Sequence, residues 1–394
     1  MFIAIGVLLI YSLLSFGGVL PHNALAMSIV LAAAIVLLVA IRCFRGETLD
    51  VRVVIVLSAA SAMSLWVSPR IGVPAFVGAW AFSVARDSTE RHLMRFLHFL
   101  LFVGVAEALL GLYQYFVAPG WIFGYVNFGS AVSGSLINRN HFAGLLEMLV
   151  PVSFGLAYIA ARGYGGVVRS YVYLMLGALT ALALIFSMSR MGIISVFFTV
   201  GFMVTIVRIR SSQRRMATVM GFGLVCLILS GALWVGVDAI VVRYGALLES
   251  EAAFREGRML IYRDTLDMIA DNPWGVGVDG YRDVFRQYQT FQPGLLIDHA
   301  HNDYLETAVE WGIPLATVFW AFVLTVLVQS VRAFLRTESL EYRGVLLASC
   351  GAIFSILVHS LADFNLQIPS NAMLFCIFVG IALACSTRRI ERML

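Results

Sequence analysis

The sequence contains no lysine, and charged residues of every kind make up only 13% of its 394 residues. A soluble globular protein usually has about a quarter of its residues charged and about half apolar. This chain is instead 60% hydrophobic, with a mean hydropathy of +0.89. These shortages exclude a soluble globular protein, and we predict an all-α, polytopic membrane protein.

Cysteine is also scarce, and none of the five cysteines falls within residues 237–311. There is no CxxC or HExxH motif, so the sequence favours neither a disulfide framework nor a zinc site. The histidines of His299-Ala-His301 lack further ligands at a recognisable spacing. We therefore predict no metal and no cofactor, and no nucleic-acid partner because no motif for one is visible.

Long apolar windows fill most of the chain. About twelve are long enough to cross a hydrocarbon core of about 30 Å. They lie near 2–19, 24–41, 52–68, 71–85, 95–117, 141–161, 170–188, 191–207, 216–236, 312–331, 343–361 and 368–386. We expect residues 1–236 to hold nine spans and residues 312–394 to hold three, on either side of a loop at 237–311.

Arginine is distributed unevenly among the connections between these windows. Alternate connections hold Arg42, Arg45, Arg52, Arg86, Arg91, Arg95, Arg162, Arg169, Arg208, Arg210, Arg214, Arg215, Arg332, Arg336, Arg343, Arg388, Arg389 and Arg392. The other short connections hold only Arg70, Arg139 and Arg190. Because positive charge is retained in the cytoplasm, we predict cytoplasmic termini and an exported loop at 237–311.

The exported loop has the pattern of a folded segment. Residues 257–273 predict a helix with Met259, Tyr262, Leu266 and Ile269 on its apolar face, and residues 281–289 predict a second helix. Glycines in 274–280 predict a tight turn between the two helices. We therefore expect a partly helical loop on the exported side.

Three exported arginines stand where a helix is expected to begin: Arg139, Arg190 and Arg258. A helix N-terminus already carries partial positive charge and free N–H donors, so a cation there is mildly unfavourable. A bound anion reverses this, and guanidinium can bond two phosphate oxygens at once. These arginines therefore predict anion binding, whereas Arg263 has Asp267 one turn later and predicts an ordinary salt bridge.

Histidine supplies the best candidate for proton chemistry. Unperturbed imidazole has a pKa of about 6.5, so His301 in a neutral compartment is mostly uncharged and able to accept a proton. His299 competes for this role, and residues two apart point away from each other on a helix. Both can therefore serve one site only if the segment is extended. Asp363 follows His359 by one helical turn, so it could orient that histidine or line the cavity.

Five stretches occur in a specific order around the long loop. They are GSLINRNHFAGLLEMLVPV (134–152), SRMG (189–192), GRMLIYRDTLDMIADNPWGVGVDGY (257–281), HAHNDYLETAVEWGIPL (299–315) and HSLADFNLQIP (359–369). Together they resemble the O-antigen ligase and O-antigen polymerase superfamily. The resemblance implies a metal-independent, largely helical membrane glycosyltransferase. Such enzymes move a glycan from undecaprenyl diphosphate to a sugar hydroxyl on the periplasmic side.

The resemblance also implies roles for individual residues. His301 matches the essential histidine and is expected to take the acceptor proton as the glycan is transferred with inversion. Arg190 and Arg258 match the arginines that hold the donor diphosphate. From the matched stretches and the charge pattern we expect further substrate contacts from Asn138, Arg139, Asn140, His141, Asn302 and Asp363.

Two activities that differ in their acceptor are compatible with the resemblance. Ligases of this superfamily carry a Gly-x-x-Gly motif after the His-Asn pair, and here Gly312 is present but Leu315 replaces the second glycine. This departure favours a polymerase of O-antigen or exopolysaccharide, with a lipid-linked repeat as acceptor, over a ligase acting on lipid A-core. A protein oligosaccharyltransferase is a further alternative.

A different class, a flippase or transporter, would need ionisable groups inside the spans. Only Glu107 and Glu147 are acidic candidates there, and we interpret both as structural carboxylates. The expected location is the bacterial inner membrane with a periplasmic active site. The expected partners are the lipid-linked donor, the glycan acceptor, membrane lipid and a chain-length regulator protein.

Overall fold

The computed structural model of the chain describes residues 2–18, 68–126, 132–162, 166–210, 258–292 and 294–391, together with Ala26 and Ile29. These residues are overwhelmingly helical. The bundle helices are α1 (Phe2–Leu14), α2 (Pro69–Asp87), α3 (Glu90–Phe116), α4 (Arg139–Ala160), α5 (Gly166–Phe186), α6 (Arg190–Arg210), α10 (Ile313–Arg336), α11 (Leu340–His359) and α12 (Pro369–Glu391).

Shorter elements connect the bundle helices. The loop before α10 contains α7 (258–271), α8 (Tyr281–Phe285) and α9 (Asp303–Trp311). A hairpin of β1 (Trp121–Ile122) and β2 (Tyr125–Val126) pairs antiparallel between α3 and α4. Single 3₁₀ turns occur at Phe16–Gly18 and Asn365–Gln367.

Seven described helices are long and apolar enough to cross a membrane: α3, α4, α5, α6, α10, α11 and α12. Helix α1 is apolar but short, because it ends at Leu14 and a 3₁₀ turn follows where a span to residue 19 was expected. Apart from Ala26, Ile29 and Ser68, the windows near 24–41, 52–68 and 216–236 lie outside the described residues. The all-α membrane architecture is therefore confirmed, and the count of twelve spans stays a prediction.

Helix α4 is the most enclosed of the candidate spans, since 94% of its apolar window is buried. It packs against α5 and α11, while α12 packs against α2. The α4–α11 contact is close because Gly155 meets the backbone carbonyl of Gly344, where a Cβ atom would collide. Small residues at helix crossings allow such backbone approach inside a bilayer.

The two ends of the bundle differ in chemistry. At one end, which we call the arginine-rich end, Arg210 Nη2 lies 3.2 Å from Glu338 Oε1 and Ser339 Oγ donates to Glu90 Oε1 over 2.6 Å. At the opposite end, which we call the site end, Arg70 binds Asp279 and Glu310. The site end also contains the starts of α4, α6, α10 and α12 and the ends of α5 and α11. This follows because consecutive helices run in opposite directions.

The part of the loop from 258 onward folds around its own small core. The core consists of Ile261, Met268, Tyr281, Phe285, Ile297, Ala300 and Val309. It is separate from the core of the bundle. The expectation of a folded, partly helical segment therefore agrees with the described residues.

The face of α7 that is buried differs from the predicted one. Met259 and Leu266 are 66% and 54% exposed, although both were expected on the apolar face. Asp264 and Thr265 are buried in their place. Asp264 Oδ2 accepts from the Thr290 backbone N–H over 2.8 Å, and Thr265 Oγ1 lies 2.8 Å from the Tyr281 hydroxyl. Polar groups can be buried when they are hydrogen-bonded. Hydrogen bonding, and not hydrophobic periodicity, therefore determines which face of α7 is buried.

The predicted salt bridge from Arg263 to Asp267 was wrong. Arg263 Nη2 instead lies 3.1 Å from Asp264 Oδ1 and donates to Thr290 Oγ1 over 2.6 Å. The buried Asp264 carboxylate is the better partner, because a buried charge is costly unless it is paired. Arg263 therefore stabilises the loop core.

Candidate active site

Three histidines surround the ring of Phe364 at the site end. The ring centroid of Phe364 lies 4.1 Å from that of His299, 4.8 Å from that of His141 and 4.9 Å from that of His301. Residues 296–302 are not helical, so the condition under which His299 and His301 can serve one site is met. The Phe364 ring is nearly buried and fixes the relative positions of the three imidazoles.

His301 has an unusual backbone conformation. Its φ angle is +51°, in the left-handed region that residues other than glycine seldom adopt. The Tyr262 hydroxyl donates to the His301 carbonyl over 2.9 Å, which secures the turn. Its Nδ1 atom lies 3.9 Å from Asp363 Oδ1, and its side chain is 23% exposed. Such conformations concentrate at functional sites, where the surrounding structure maintains them.

His299 is held by a carboxylate. Its Nδ1 atom lies 2.6 Å from Glu306 Oε1, and Glu306 Oε2 accepts from the Ala300 backbone N–H over 2.9 Å. Burial opposes a charge on His299, but the Glu306 carboxylate outweighs it and raises the pKa of His299 above the ordinary value. The contact occupies Nδ1 and favours the protonated imidazole, which has no free lone pair with which to accept a proton.

Asp363 lies in the connection between α11 and α12 and faces two histidines. Its Oδ1 atom is 3.9 Å from His301 Nδ1, and its Oδ2 atom is 3.8 Å from His359 Nε2. Burial alone would raise the pKa of Asp363, but the neighbouring imidazoles of His301 and His359 hold that pKa well below the ordinary value. The side chain is therefore a carboxylate directed at His301.

The start of α4 contributes His141 to the same cluster. His141 is 6% exposed, and its Nε2 atom is buried without a hydrogen-bond partner among the described residues. Asn138 caps the helix, since its Oδ1 atom accepts from the Asn140 backbone N–H over 2.8 Å. Arg139 and Asn140 are half-buried in the first turn, beside His141.

The two arginines predicted to bind the diphosphate both lie at the site end. Arg258 Nη1 donates to the Ala362 carbonyl over 3.2 Å, so it reaches the turn that carries Asp363. Arg190 opens α6, and Gly192 within the first turn of that helix packs against Ala143 of α4. The structure thus gathers His141, His301, Asp363 and Arg258 around one turn and places Arg139, Asn140 and Arg190 at the same end.

Asn302 is engaged in helix capping. Its Oδ1 atom accepts from the backbone N–H groups of Tyr304 and Leu305 over 2.9 and 3.1 Å, which caps α9. Its Nδ2 atom donates to the Leu361 carbonyl over 2.9 Å. Asn302 therefore ties the His301 segment to the Asp363 connection, and the predicted substrate contact stays a prediction.

Replacing Asn302 with alanine is expected to lower stability by about 1 kcal/mol, the usual effect of losing an N-cap. Aspartate at the same position keeps the capping oxygen, so Asn302→Asp should retain most of the stability. Thermal unfolding of the purified variants in detergent measures both effects. Equal unfolding temperatures for Asn302→Ala and the wild type would contradict the capping role.

Helix α9 buries three carboxylates on one side: Asp303, Glu306 and Glu310. Asp303 accepts from the Ser360 hydroxyl over 2.7 Å, and burial raises its pKa well above the ordinary value. Glu310 Oε1 lies 3.4 Å from Arg70 Nη2, and burial and Glu306 raise the pKa of Glu310 to about 7. These contacts fasten α9 to α2 and to the Asp363 connection.

Gly312 fixes the junction of α9 and α10. Its φ angle is +81°, and a Cβ atom there would lie 2.5 Å from the backbone carbon of Trp274. Ile313 donates to the Pro273 carbonyl over 2.9 Å at the same crossing. Leu315, which stands where ligases have glycine, is 57% exposed on α10. The close approach to Trp274 requires glycine at position 312, whereas the exposed position 315 has room for a leucine side chain.

Both carboxylates considered for transport have partners. Glu107 Oε2 accepts from the Ser135 backbone N–H over 3.0 Å and so fixes the segment before α4. Glu147 Oε2 lies 2.8 Å from His359 Nδ1. Within the described ranges, no three histidine, cysteine, aspartate or glutamate side chains are arranged to hold a metal ion.

Three contributors to the site were not identified from the sequence: Phe364, Tyr262 and the Glu147–His359 contact. Phe364 follows Asp363 directly, so its place in the HSLADFNLQIP stretch was the only available signal. Tyr262 was identified as an apolar stripe residue, which concealed the role of its hydroxyl. The Glu147–His359 contact joins α4 to α11, and no local pattern reveals such a pairing.

One family model matches part of the chain. Residues 175–320 match the model described as O-antigen ligase. The matched segment includes Arg190, Arg258, His301 and Asn302, while His141 and Asp363 lie outside it. This bears out the resemblance to the O-antigen ligase superfamily seen in the five stretches. The long apolar helices are those of an integral membrane protein.

Other comparisons add little. No curated protein sequence matches the chain. A chain in a solved structure titled "Structural coordination of polymerization and crosslinking by a peptidoglycan synthase complex" is similar over 87% of this chain and 98% of that chain. Its sequence identity is 17% and the TM-score is 0.45. Similarity at this level is too weak to define a shared fold.

Proposed function

We propose that this O-antigen ligase superfamily member transfers a glycan from undecaprenyl diphosphate to a sugar hydroxyl without a metal ion. The observation that carries the proposal is His301, which is partly exposed, faces the Asp363 carboxylate at 3.9 Å and is held in a left-handed turn. The reaction takes place at the site end, which we assign to the periplasmic face of the bacterial inner membrane. The arginine-rich end is then cytoplasmic.

In the proposed step His301 accepts the proton of the acceptor hydroxyl while that oxygen attacks the anomeric carbon. The bond from the anomeric carbon to the diphosphate oxygen breaks as the new glycosidic bond forms, so the configuration inverts. Asp363 stabilises the imidazolium that results, because a carboxylate close by favours the charged form. Undecaprenyl diphosphate departs with the electron pair of the broken bond.

Arg190 and Arg258 are the residues we assign to the donor diphosphate. Negative charge grows on the diphosphate as it leaves, and guanidinium groups placed beside it stabilise the transition state more than the ground state. Arg139, His141 and Asn140 lie at the same end and are assigned to the glycan or the diphosphate. The polyprenyl tail of the donor remains in the bilayer.

For the acceptor we propose a second lipid-linked repeat, which makes the protein a polymerase. Leu315 supports this choice, because it stands where the ligase motif has glycine. Lipid A-core is the second candidate, and the description of the matched family model favours it. A chain-length regulator protein is a proposed partner of the polymerase only.

Purified protein incubated with undecaprenyl diphosphate-linked repeats and a chelator is expected to make longer lipid-linked chains. Separation of the products by gel electrophoresis measures this. A parallel reaction that adds lipid A-core tests the ligase. Products only in the parallel reaction would replace the polymerase with a ligase, and dependence on added divalent metal would refute the metal-independent step.

A further inference from the structure

Glu147 and His359 form a buried pair that the proposed transfer step does not use. Both side chains are fully buried, one on α4 and the other at the end of α11. His359 Nδ1 lies 2.8 Å from Glu147 Oε2. A pair of ionisable groups buried between two membrane helices is costly to desolvate, so its presence requires an explanation beyond packing.

The second nitrogen of His359 faces Asp363. The distance from His359 Nε2 to Asp363 Oδ2 is 3.8 Å, and Asp363 Oδ1 lies 3.9 Å from His301 Nδ1. An imidazole placed between two carboxylates is best satisfied when both ring nitrogens donate, which is the protonated form. In that form His359 is a cation between the carboxyl groups of Glu147 and Asp363, and the four side chains form one array.

The array ends at the residue assigned as the base. Asp363 is buried, so its ionised form depends on nearby positive charge and hydrogen bonds. His359 provides a fixed cation on the side of Asp363 that faces the bundle, whereas His301 faces it from the partly exposed side. Glu147 Oε2 lies 2.8 Å from the other ring nitrogen of His359 and so fixes the orientation of that imidazole.

We propose that Glu147 and His359 are positioning residues that keep Asp363 ionised and directed at His301, and thereby set the pH range in which His301 accepts a proton. The proposal rests on the transfer function given above. It assigns to the pair no contact with the substrate.

Other charged or titratable groups surround the Asp363–His301 contact. They are Arg258 and Tyr262 on α7, His141 on α4, His299 in the extended segment, and Asp303 and Glu306 on α9. None of them is substituted in variants of His359 or Glu147. A shift in pH dependence in those variants therefore reports the pair.

The test is the pH dependence of the transfer rate in His359→Gln. Glutamine keeps a polar side chain but removes the cation, so protons bind both Asp363 and His301 more readily. The acid limb of the rate profile should move to higher pH by about 1 unit, the lower end of the effect of a charge within 4 to 6 Å. The rate at the optimum is also expected to fall.

Two further variants separate positioning from folding. His359→Gln leaves the Glu147 carboxylate unpaired, so Glu147→Gln/His359→Gln removes both charges together and avoids that cost. The double variant should show the same displaced acid limb. Glu107→Gln removes a buried carboxylate that contacts Ser135 instead of the array, and its acid limb should coincide with that of the wild type. A displaced limb in Glu107→Gln would refute the proposal.

A second readout does not depend on activity. Diethyl pyrocarbonate acylates neutral imidazole, and mass spectrometry of the peptide containing His301 follows labelling against pH. The pH of half-maximal labelling should rise in His359→Gln and in the double variant. Unchanged labelling and an unchanged acid limb would overturn the positioning role, even with normal wild-type transfer. An inactive wild type whose labelling still shifts would overturn only the transfer function.

Discussion

Replacing His301 with alanine is expected to slow glycan transfer by about 100- to 10,000-fold, the usual contribution of a positioned general base. The substitution removes the imidazole but not the carbonyl that accepts from Tyr262. Alanine keeps the Cβ atom at this positive φ angle and adds no bulk, so the backbone conformation is as allowed as before. The folded structure should therefore survive, and the loss should appear in kcat at saturating donor.

His299 provides the matched comparison. Its contact with Glu306 raises its pKa above the ordinary value, which favours the protonated form that cannot accept a proton. His299→Gln is accordingly expected to retain much more activity than His301→Ala. His92 lies exposed at the arginine-rich end, and His92→Ala controls for loss of a histidine as such. If His301→Ala kept wild-type activity and His299→Gln were inactive, the role of general base would pass from His301 to His299.

Replacing either Arg258 or Arg190 with alanine is expected to reduce kcat/KM by about 10- to 150-fold. This is the effect of losing one charge-assisted hydrogen bond of about 1.5 to 3 kcal/mol. The variants should be compared with donors that carry the same glycan on a diphosphate and on a monophosphate. If the arginines bind the diphosphate, the wild type should prefer the diphosphate strongly and each variant should lose most of that preference.

Lysine at these positions tests the geometry of binding. Arg258→Lys retains the charge but not the planar pair of donors, so it should recover only part of the lost rate. Arg282→Ala is the matched control, because Arg282 is exposed on α8 in the same loop. A loss in Arg282→Ala equal to that in Arg258→Ala would mean that the loop attracts the donor by general charge rather than through Arg258.

The bundle could be predicted largely because lipid imposes a simple rule. A span needs about 20 apolar residues, and the windows near 141–161 and 191–207 correspond to α4 (Arg139–Ala160) and α6 (Arg190–Arg210). The helix starts extend to Arg139 and Arg190 because caps and first turns tolerate polar residues. Hydropathy alone places such ends within a few residues.

The loop was less predictable because its burial depends on distant partners. Asp264 is buried since Thr290, 26 residues later, donates to it. Thr265 is buried beside Tyr281, which lies 16 residues away. A prediction from hydrophobic periodicity treats polar residues as exposed. It therefore placed Met259 and Leu266 on the buried face of α7 in place of Asp264 and Thr265.

The candidate site combined predictable and unpredictable parts. His301, Arg258 and Asp363 could be named from residue chemistry and motif order. Their arrangement around Phe364 could not, because it depends on an extended segment meeting a turn more than 60 residues further along the chain. Glu147 was interpreted as structural, and only the fold reveals that it reaches the site through His359.

The separation of the two ends of the bundle has an energetic consequence for the proposed reaction. His301, Asp363, Arg258 and Arg190 all lie at the site end, so the proton and the diphosphate charge are handled on one side of the bilayer. No charge then travels through the membrane field, where each elementary charge would exchange about 2.3 kcal/mol per 100 mV. Transfer at such a site is electrically silent, and the bond between the glycan and the diphosphate supplies its driving force.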